Sequence, residues 1–224
     1  MNWTRWSMIG KVVLGVWMAG VLVAAFLVEK PDLGQVGRIY FFHIPVAWVT
    51  VLSFLLSSLY GIRYLVKRQR LDDHRAANAA TLGIVFCLLA TVTGAIFARV
   101  TWGAFWNWDP RETTIFFLLL FYAAYFALRA AVADEERRAT LAAAYNILGL
   151  VVVPLLVFVA PRMAELAGLH PNELLIGGQG GMSPPVRRVF LAALAGFTGV
   201  FVWVLDLANR TARLGEALAD DEEA

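Results

Sequence analysis

The chain holds a single cysteine, Cys87, within an apolar run. One thiol excludes an intrachain disulfide and any thiolate metal cluster. Histidine is scarce as well, with three in 224 residues, and no H-E-x-x-H pair or similar cluster gathers them. No glycine-rich phosphate loop and no G-x-S-x-G elbow is present, so nucleotide hydrolysis and serine acyl transfer find no residues to carry them. Charge is low, at 16% of residues and a net +2, and no basic stripe of the nucleic-acid-binding kind appears. No repeat of solenoid length is found, and the one low-complexity strip is Gly177-Gly178-Gln179-Gly180-Gly181.

What the chain has is apolar length. Sixty per cent of it is apolar, against about 45–50% in soluble domains. The excess is gathered into six runs: 9–28, 45–66, 76–98, 114–133, 139–160 and 186–208. Each reaches the ~20 residues that a helix needs to cross a ~30 Å hydrocarbon core. The runs do not alternate, which excludes a barrel of strands. The composition therefore predicts an all-α polytopic membrane protein with six transmembrane helices in one domain, 1–208. The acidic end, 209–224, is expected to be a disordered tail. The first run lacks a small-residue cleavage site after it and is read as a retained helix.

Lysine and arginine orient the spans. Twelve lie on one set of flanks (5, 11, 63, 67, 68, 70, 75, 129, 137, 138, 210 and 213) and seven on the other (30, 38, 99, 111, 162, 187 and 188). The positive-inside rule puts the first set and both termini in the cytoplasm. Three loops then face outward: 29–44, 99–113 and 161–185. His43, His170 and the densest group of tryptophans share that face, while His74 falls inside and is read as solvated.

That group is Trp102-Gly103-Ala104-Phe105-Trp106-Asn107-Trp108-Asp109-Pro110-Arg111-Glu112-Thr113. Indoles often anchor spans at headgroup level, and Trp3, Trp6, Trp17, Trp48 and Trp203 are read that way. Trp102, Trp106 and Trp108 are different, because they crowd one short loop with a glycine among them. They are expected to form an aromatic platform for a flat anionic ligand. Asp109-Pro110-Arg111-Glu112 is also a helix start, with an acid at the N-cap, proline next and Glu three residues after the cap. Asp109 is read first as that cap, with ligand contact as the alternative. Arg111 places a cation in the first turn, against the helix dipole. Its guanidinium suits bidentate binding of a carboxylate. His43, two residues before Pro45, opens the second span. Alone it reads as an interfacial histidine bonded to water. His170, in the third outer loop, gives it a companion. Zinc would need more ligands than these two.

The spacing W-G-x-x-W-x-W-D, with Trp102, Gly103, Trp106, Trp108 and Asp109 in register, resembles the WWD signature of haem-handling proteins in cytochrome c maturation. With six spans, His43-Ile44-Pro45-Val46-Ala47 opening the second and a histidine in the last outer loop, the chain looks like the CcmC family of bacterial maturation system I. The resemblance covers nearly the whole chain. It implies haem b as the transported ligand, His43 and His170 as axial ligands of its iron, and the tryptophan loop as its cradle. His43 matches the family's first ligand motif, and His170 matches by loop position. Arg38 and Arg111 fall where the family places arginines near the haem propionates. The chain departs from the family at Phe105, where a third indole is common. It departs again at Pro110–Thr113, which looks closer to the CcsA-type haem lyases of system II. The implied function is not enzymatic. The family holds haem at the outer face of the bacterial cytoplasmic membrane and passes it to the haem chaperone CcmE. The ABC transporter subunits CcmA and CcmB and the small subunit CcmD accompany it. The alternative is a CcsA-like lyase that joins haem to apocytochrome.

Overall fold

The computed structural model describes residues 3–29, 34–163, 169 and 182–223. The elements, in order, are α1 (Trp3–Leu27), a 3-10 turn (Val36–Phe41), α2 (His43–Lys67), α3 (Arg70–Trp102), α4 (Pro110–Ala131), α5 (Glu135–Pro154), a π-helical turn (Leu155–Val159), α6 (Ala160–Met163) and α7 (Pro184–Glu223). There is no strand among the described residues. Six helical stretches are long and apolar enough to cross a membrane: Met8–Leu27, Val36–Lys67, Arg70–Trp102, Pro110–Ala131, Glu135–Met163 and Pro184–Leu218.

Local chemistry sets the helix ends. Asp109 caps α4 with the capping box read from the sequence, and Pro110 follows it. Its carboxylate and the Glu112 side chain take up amide donors that α4 leaves without an intrahelical acceptor. Asp134 caps α5 by accepting from the Arg137 amide at 2.7 Å. Pro154 lies inside its helix, where it has no amide proton to donate. The π turn that follows absorbs the defect and carries the helix on to Met163.

The second span is the hub of the bundle: it packs chiefly on α3 and α5, with α7 on another side. Between these helices lies polar glue that the hydropathy pattern hides. The Ser58 hydroxyl donates to the Asn146 carbonyl at 2.6 Å. The Asn146 amide donates to Ser57 Oγ at 2.6 Å, and Ser57 Oγ donates to the Ala76 carbonyl at 2.6 Å. All three side chains are fully buried. Bonds of this kind between spans are worth up to about 1–2 kcal/mol. Phe54 stacks on Tyr122 beside them, with ring centroids 3.4 Å apart.

The helix ends opposite the tryptophan loop are tied by charge. Arg129 on α4 grips buried Asp73 on α3 with two bonds, 2.6 and 2.9 Å long. Arg63 and Arg75 flank Asp72 at 3.4 and 3.0 Å. Both of these buried carboxylates are thus met by guanidinium, as burial of a charge requires.

Two sequence expectations change here. A disordered 209–224 gives way to α7, which continues to Glu223. Its 40 residues reach about 60 Å at 1.5 Å per residue, roughly twice the hydrocarbon core. Alanine, leucine, arginine and glutamate dominate this stretch and favour the helix. The i,i+4 pair Asp206–Arg210, at 2.7 Å, adds to it. His74, read as solvated, keeps 44% of its side chain exposed and lies 3.3 Å from Glu216 of that extension. Trp17, expected as a headgroup anchor, donates its indole proton to the Ala192 carbonyl at 2.9 Å and fastens α1 to α7.

Candidate functional site

The loop between α3 and α4 is short and tightly pinned. Gly103 ends α3 with φ +87°, the left-handed region that glycine enters without strain. Arg99 donates to its carbonyl and lays its guanidinium 5.7 Å from the centre of the exposed Phe105 ring. Further on, Trp108 itself stands at φ +54°. A bulky residue there carries strain of about 1–3 kcal/mol and needs surroundings that enforce it.

Glu112 supplies most of that enforcement. It is 9% exposed, and its Oε2 accepts from the Asn107 amide at 2.6 Å and the Asp109 amide at 3.3 Å. Those two residues bracket Trp108. The Thr113 hydroxyl donates to the Trp108 carbonyl at 3.2 Å. The Trp108 side chain is left 68% exposed. The capping box signals Glu112 in the sequence, but its reach to Asn107 depends on the loop's fold.

The three indoles do not make one flat platform. Trp102 meets Phe97 on its own helix edge to face, at 5.5 Å and 84°. Trp106 and Trp108 stand at 88° to each other, 5.9 Å apart. Trp108 meets Phe116 at 81°. Edge-to-face contact is what the ring quadrupole favours. The loop therefore presents ring faces in more than one direction, with Trp108 the most open of the three indoles.

Asp109 proves to be both cap and tie. It is only 3% exposed. Its Oδ1 accepts from the Arg111 amide at 2.9 Å, and its Oδ2 accepts from the Leu169 amide at 2.6 Å. The second bond joins the tryptophan loop to a residue 60 positions away. Leu169 immediately precedes His170, which lies outside the described residues. Arg111 occupies the first turn of α4, half-buried, one turn from the exposed Trp108.

Across the bundle, His43 begins α2 as predicted. Its ring is half-buried against α3, with Nδ1 3.0 Å from Thr93 Oγ1. Trp102 lies nine positions beyond Thr93 on the same helix, roughly 13 Å along the axis. His43 thus sits beneath the tryptophan loop, against α3 about 13 Å short of Trp102. Arg38, on the 3-10 turn, donates from Nε to Gln35 Oε1 at 2.6 Å. Its Nη1 reaches the carbonyls of Ala25 and Val28. It thereby stabilises the C-terminal end of α1, where a cation is favoured. Trp106, Trp108 and Asp109 lie in the loop between α3 and α4, Trp102 and Arg111 on the helix turns that flank it, and His43 below it. Arg38 is held at the end of α1. Among the described residues, no group of three or more His, Cys, Asp or Glu gathers to hold a metal ion.

Six apolar helical spans, with a braced aromatic loop at one end and a histidine packed against α3, define a polytopic all-α membrane protein. The family described as Heme exporter protein C, CcmC, matches residues 1–221. The chain belongs to that family. Heme exporter protein C of Paracoccus denitrificans is 32% identical over 209 residues, covering 91% of this chain and 86% of that protein. Its counterpart from Bradyrhizobium diazoefficiens is 34% identical over 139 residues, 62% of this chain and 53% of that protein. A shorter likeness joins the chain to cytochrome c biogenesis protein CcsA of Cucumis sativus, 38% identical over 64 residues. It covers 29% of this chain and 19% of that protein.

Proposed function

We propose that this protein holds haem at the outer face of the bacterial cytoplasmic membrane and hands it to the periplasmic chaperone CcmE. A role in haem handling for cytochrome c maturation is supported by the names of its relatives, which speak of heme export and of cytochrome c biogenesis. The observation that carries the reading is the 2.6 Å bond from the Leu169 amide to Asp109. It ties the third outer loop, where His170 follows Leu169, to the loop that bears Trp106 and Trp108.

In this reading His43 and His170 each give a nitrogen lone pair to the haem iron. Trp106 and Trp108 offer ring faces to the porphyrin. Arg111 neutralises a propionate. Arg38 keeps its Nη2 donors for the other, since Nε and Nη1 serve Gln35 and α1. Trp102 and Asp109 shape the loop. Both termini lie in the cytoplasm, as the basic flanks require. CcmA and CcmB supply ATP hydrolysis, and CcmD completes the complex.

A holder must bind haem and also release it. Two exchangeable histidine bonds and an exposed Trp108 suit that task. The likeness to CcsA is confined to 29% of this chain and 19% of its partner in the comparison. That favours a shared haem-binding segment over shared lyase chemistry. The test is transfer: the purified, haem-loaded chain passes haem to the chaperone and forms no thioether on an apocytochrome. Thioether formation by this chain alone would establish the lyase instead.

A further inference from the structure

His43 does not meet α3 by chance packing. Thr93 Oγ1 lies 2.7 Å from the Leu89 carbonyl and 3.2 Å from the Ala90 carbonyl. Both are acceptors only, and both belong to the preceding turn of α3. A threonine hydroxyl has one proton, and that proton is spent on these carbonyls. With its proton directed to the Leu89 carbonyl, Oγ1 faces His43 Nδ1, 3.0 Å away, as an acceptor. This arrangement favours the neutral tautomer with its proton on Nδ1 and its lone pair on Nε2.

Gly94, the next residue, sets how close the ring can come. A Cβ added there would fall 3.0 Å from His43 Cε1, 3.7 Å from Nδ1 and 3.8 Å from Nε2. The Cε1 edge of the ring faces bare backbone, and a larger residue would crowd it. Helix α3 thus offers His43 an acceptor and a close seat side by side.

We propose that Thr93 is a positioning residue for haem binding. It fixes His43 in the Nδ1–H form so that Nε2 is the nitrogen offered to iron, while Gly94 seats the ring. This deepens the haem reading and rests on it for the iron, though not for the proton. The choice of acceptor matters too. A neutral hydroxyl polarises imidazole less than the carboxylate found behind many metal-bound histidines. A weaker push from behind gives a more easily exchanged axial bond, which a protein that must give haem away requires.

The test has two arms, both on the full chain in detergent. In the first, the haem-free protein is labelled with 15N-histidine and its three imidazoles are assigned with His74→Ala and His170→Ala. His43 is expected to show a protonated Nδ1 and an unprotonated Nε2 in the wild type and in Thr93→Ser. Thr93→Val is expected to show a mixture. A protonated Nε2 in the wild type, or an unchanged His43 in Thr93→Val, overturns the proposal.

In the second arm, haem loss to a scavenging apoprotein is timed. Thr93→Val is expected to lose haem about tenfold faster, the lower end of what removal of such a supporting partner costs a metal site. Thr93→Ser should stay near the wild-type rate. Gly94→Ala should also quicken loss while keeping the Nδ1–H form. Wild-type rates in Thr93→Val or Gly94→Ala overturn the proposed role. His43→Ala is the reference: if it leaves haem binding unchanged, the iron-ligand reading fails, and the proton assignment is judged by the first arm alone.

Discussion

Asp109 Oδ2 accepts the Leu169 amide proton at 2.6 Å, while Oδ1 of the same buried carboxylate caps α4 through the Arg111 amide at 2.9 Å. One side chain therefore starts a helix and holds two loops together. Hydrogen bonds to a charged acceptor contribute about 1.5–3 kcal/mol each, so the joint outweighs an ordinary helix cap.

Asp109→Ala is predicted to lower stability by at least the ~0.5–2 kcal/mol of a lost cap and to loosen haem retention as well. Asp109→Asn keeps an oxygen for one amide but not for both, and should fall between. Thermal unfolding in detergent reads the first effect and haem retention the second. An Asp109→Ala protein with wild-type values for both would show that the tie carries nothing.

Trp108 offers a separation of stability from function. Its φ of +54° costs a tryptophan energy that glycine would not spend. Trp108→Gly is predicted to match or exceed the wild type in melting temperature while delivering less haem to the chaperone. Replacing Trp106 and Trp108 together with alanine should cut delivery more than it changes the axial-ligand spectrum. Undiminished delivery from both variants would remove the loop from the transfer step.

Arg129 and Asp73 form the strongest joint at the opposite end. Arg129→Ala leaves a buried carboxylate unpaired, at a cost of about 3–5 kcal/mol. Arg129→Lys should recover only part, because an ammonium lacks the planar fork. The double change Arg129→Met, Asp73→Leu should be milder than Arg129→Ala alone. Unfolding midpoints for the three proteins check the order.

Orientation is open to direct labelling. Cys87 is buried and should stay silent toward an impermeant thiol reagent. Cysteines introduced at Ala104 and Asp134 should label from opposite sides, Ala104→Cys from outside. Labelling of Ala104→Cys only from the cytoplasmic side would invert the proposed topology and move the site to the wrong compartment.

Much of this architecture is legible in the sequence because its causes are local. Apolar runs mark the six spans, and Asp109, Pro110 and Glu112 mark the start of α4. Pro45 places His43 at the mouth of α2. The remainder depends on contacts between distant residues. Nothing in Leu169 announces that its amide will meet Asp109. Thr93 reads as an ordinary helix threonine until His43 packs on it. Arg38 carries no sign that its donors go to the end of α1. The tail reads as disordered from its acidic residues, because the continuing helix propensity and the pairing of His74 with Glu216 carry less weight in composition. The tryptophans are visible as a cluster, but their perpendicular arrangement follows from loop geometry that Glu112 imposes.

Iron ligation by His43 and His170 is the central claim, and an absorption spectrum addresses it most directly. The haem-loaded protein is measured as isolated and after dithionite, beside His43→Ala, His170→Ala, the double variant and His74→Ala. Each single change at His43 or His170 is predicted to shift the haem bands, the double change to abolish the bound-haem spectrum, and His74→Ala to leave it intact. A wild-type spectrum in either His43→Ala or His170→Ala would contradict the account.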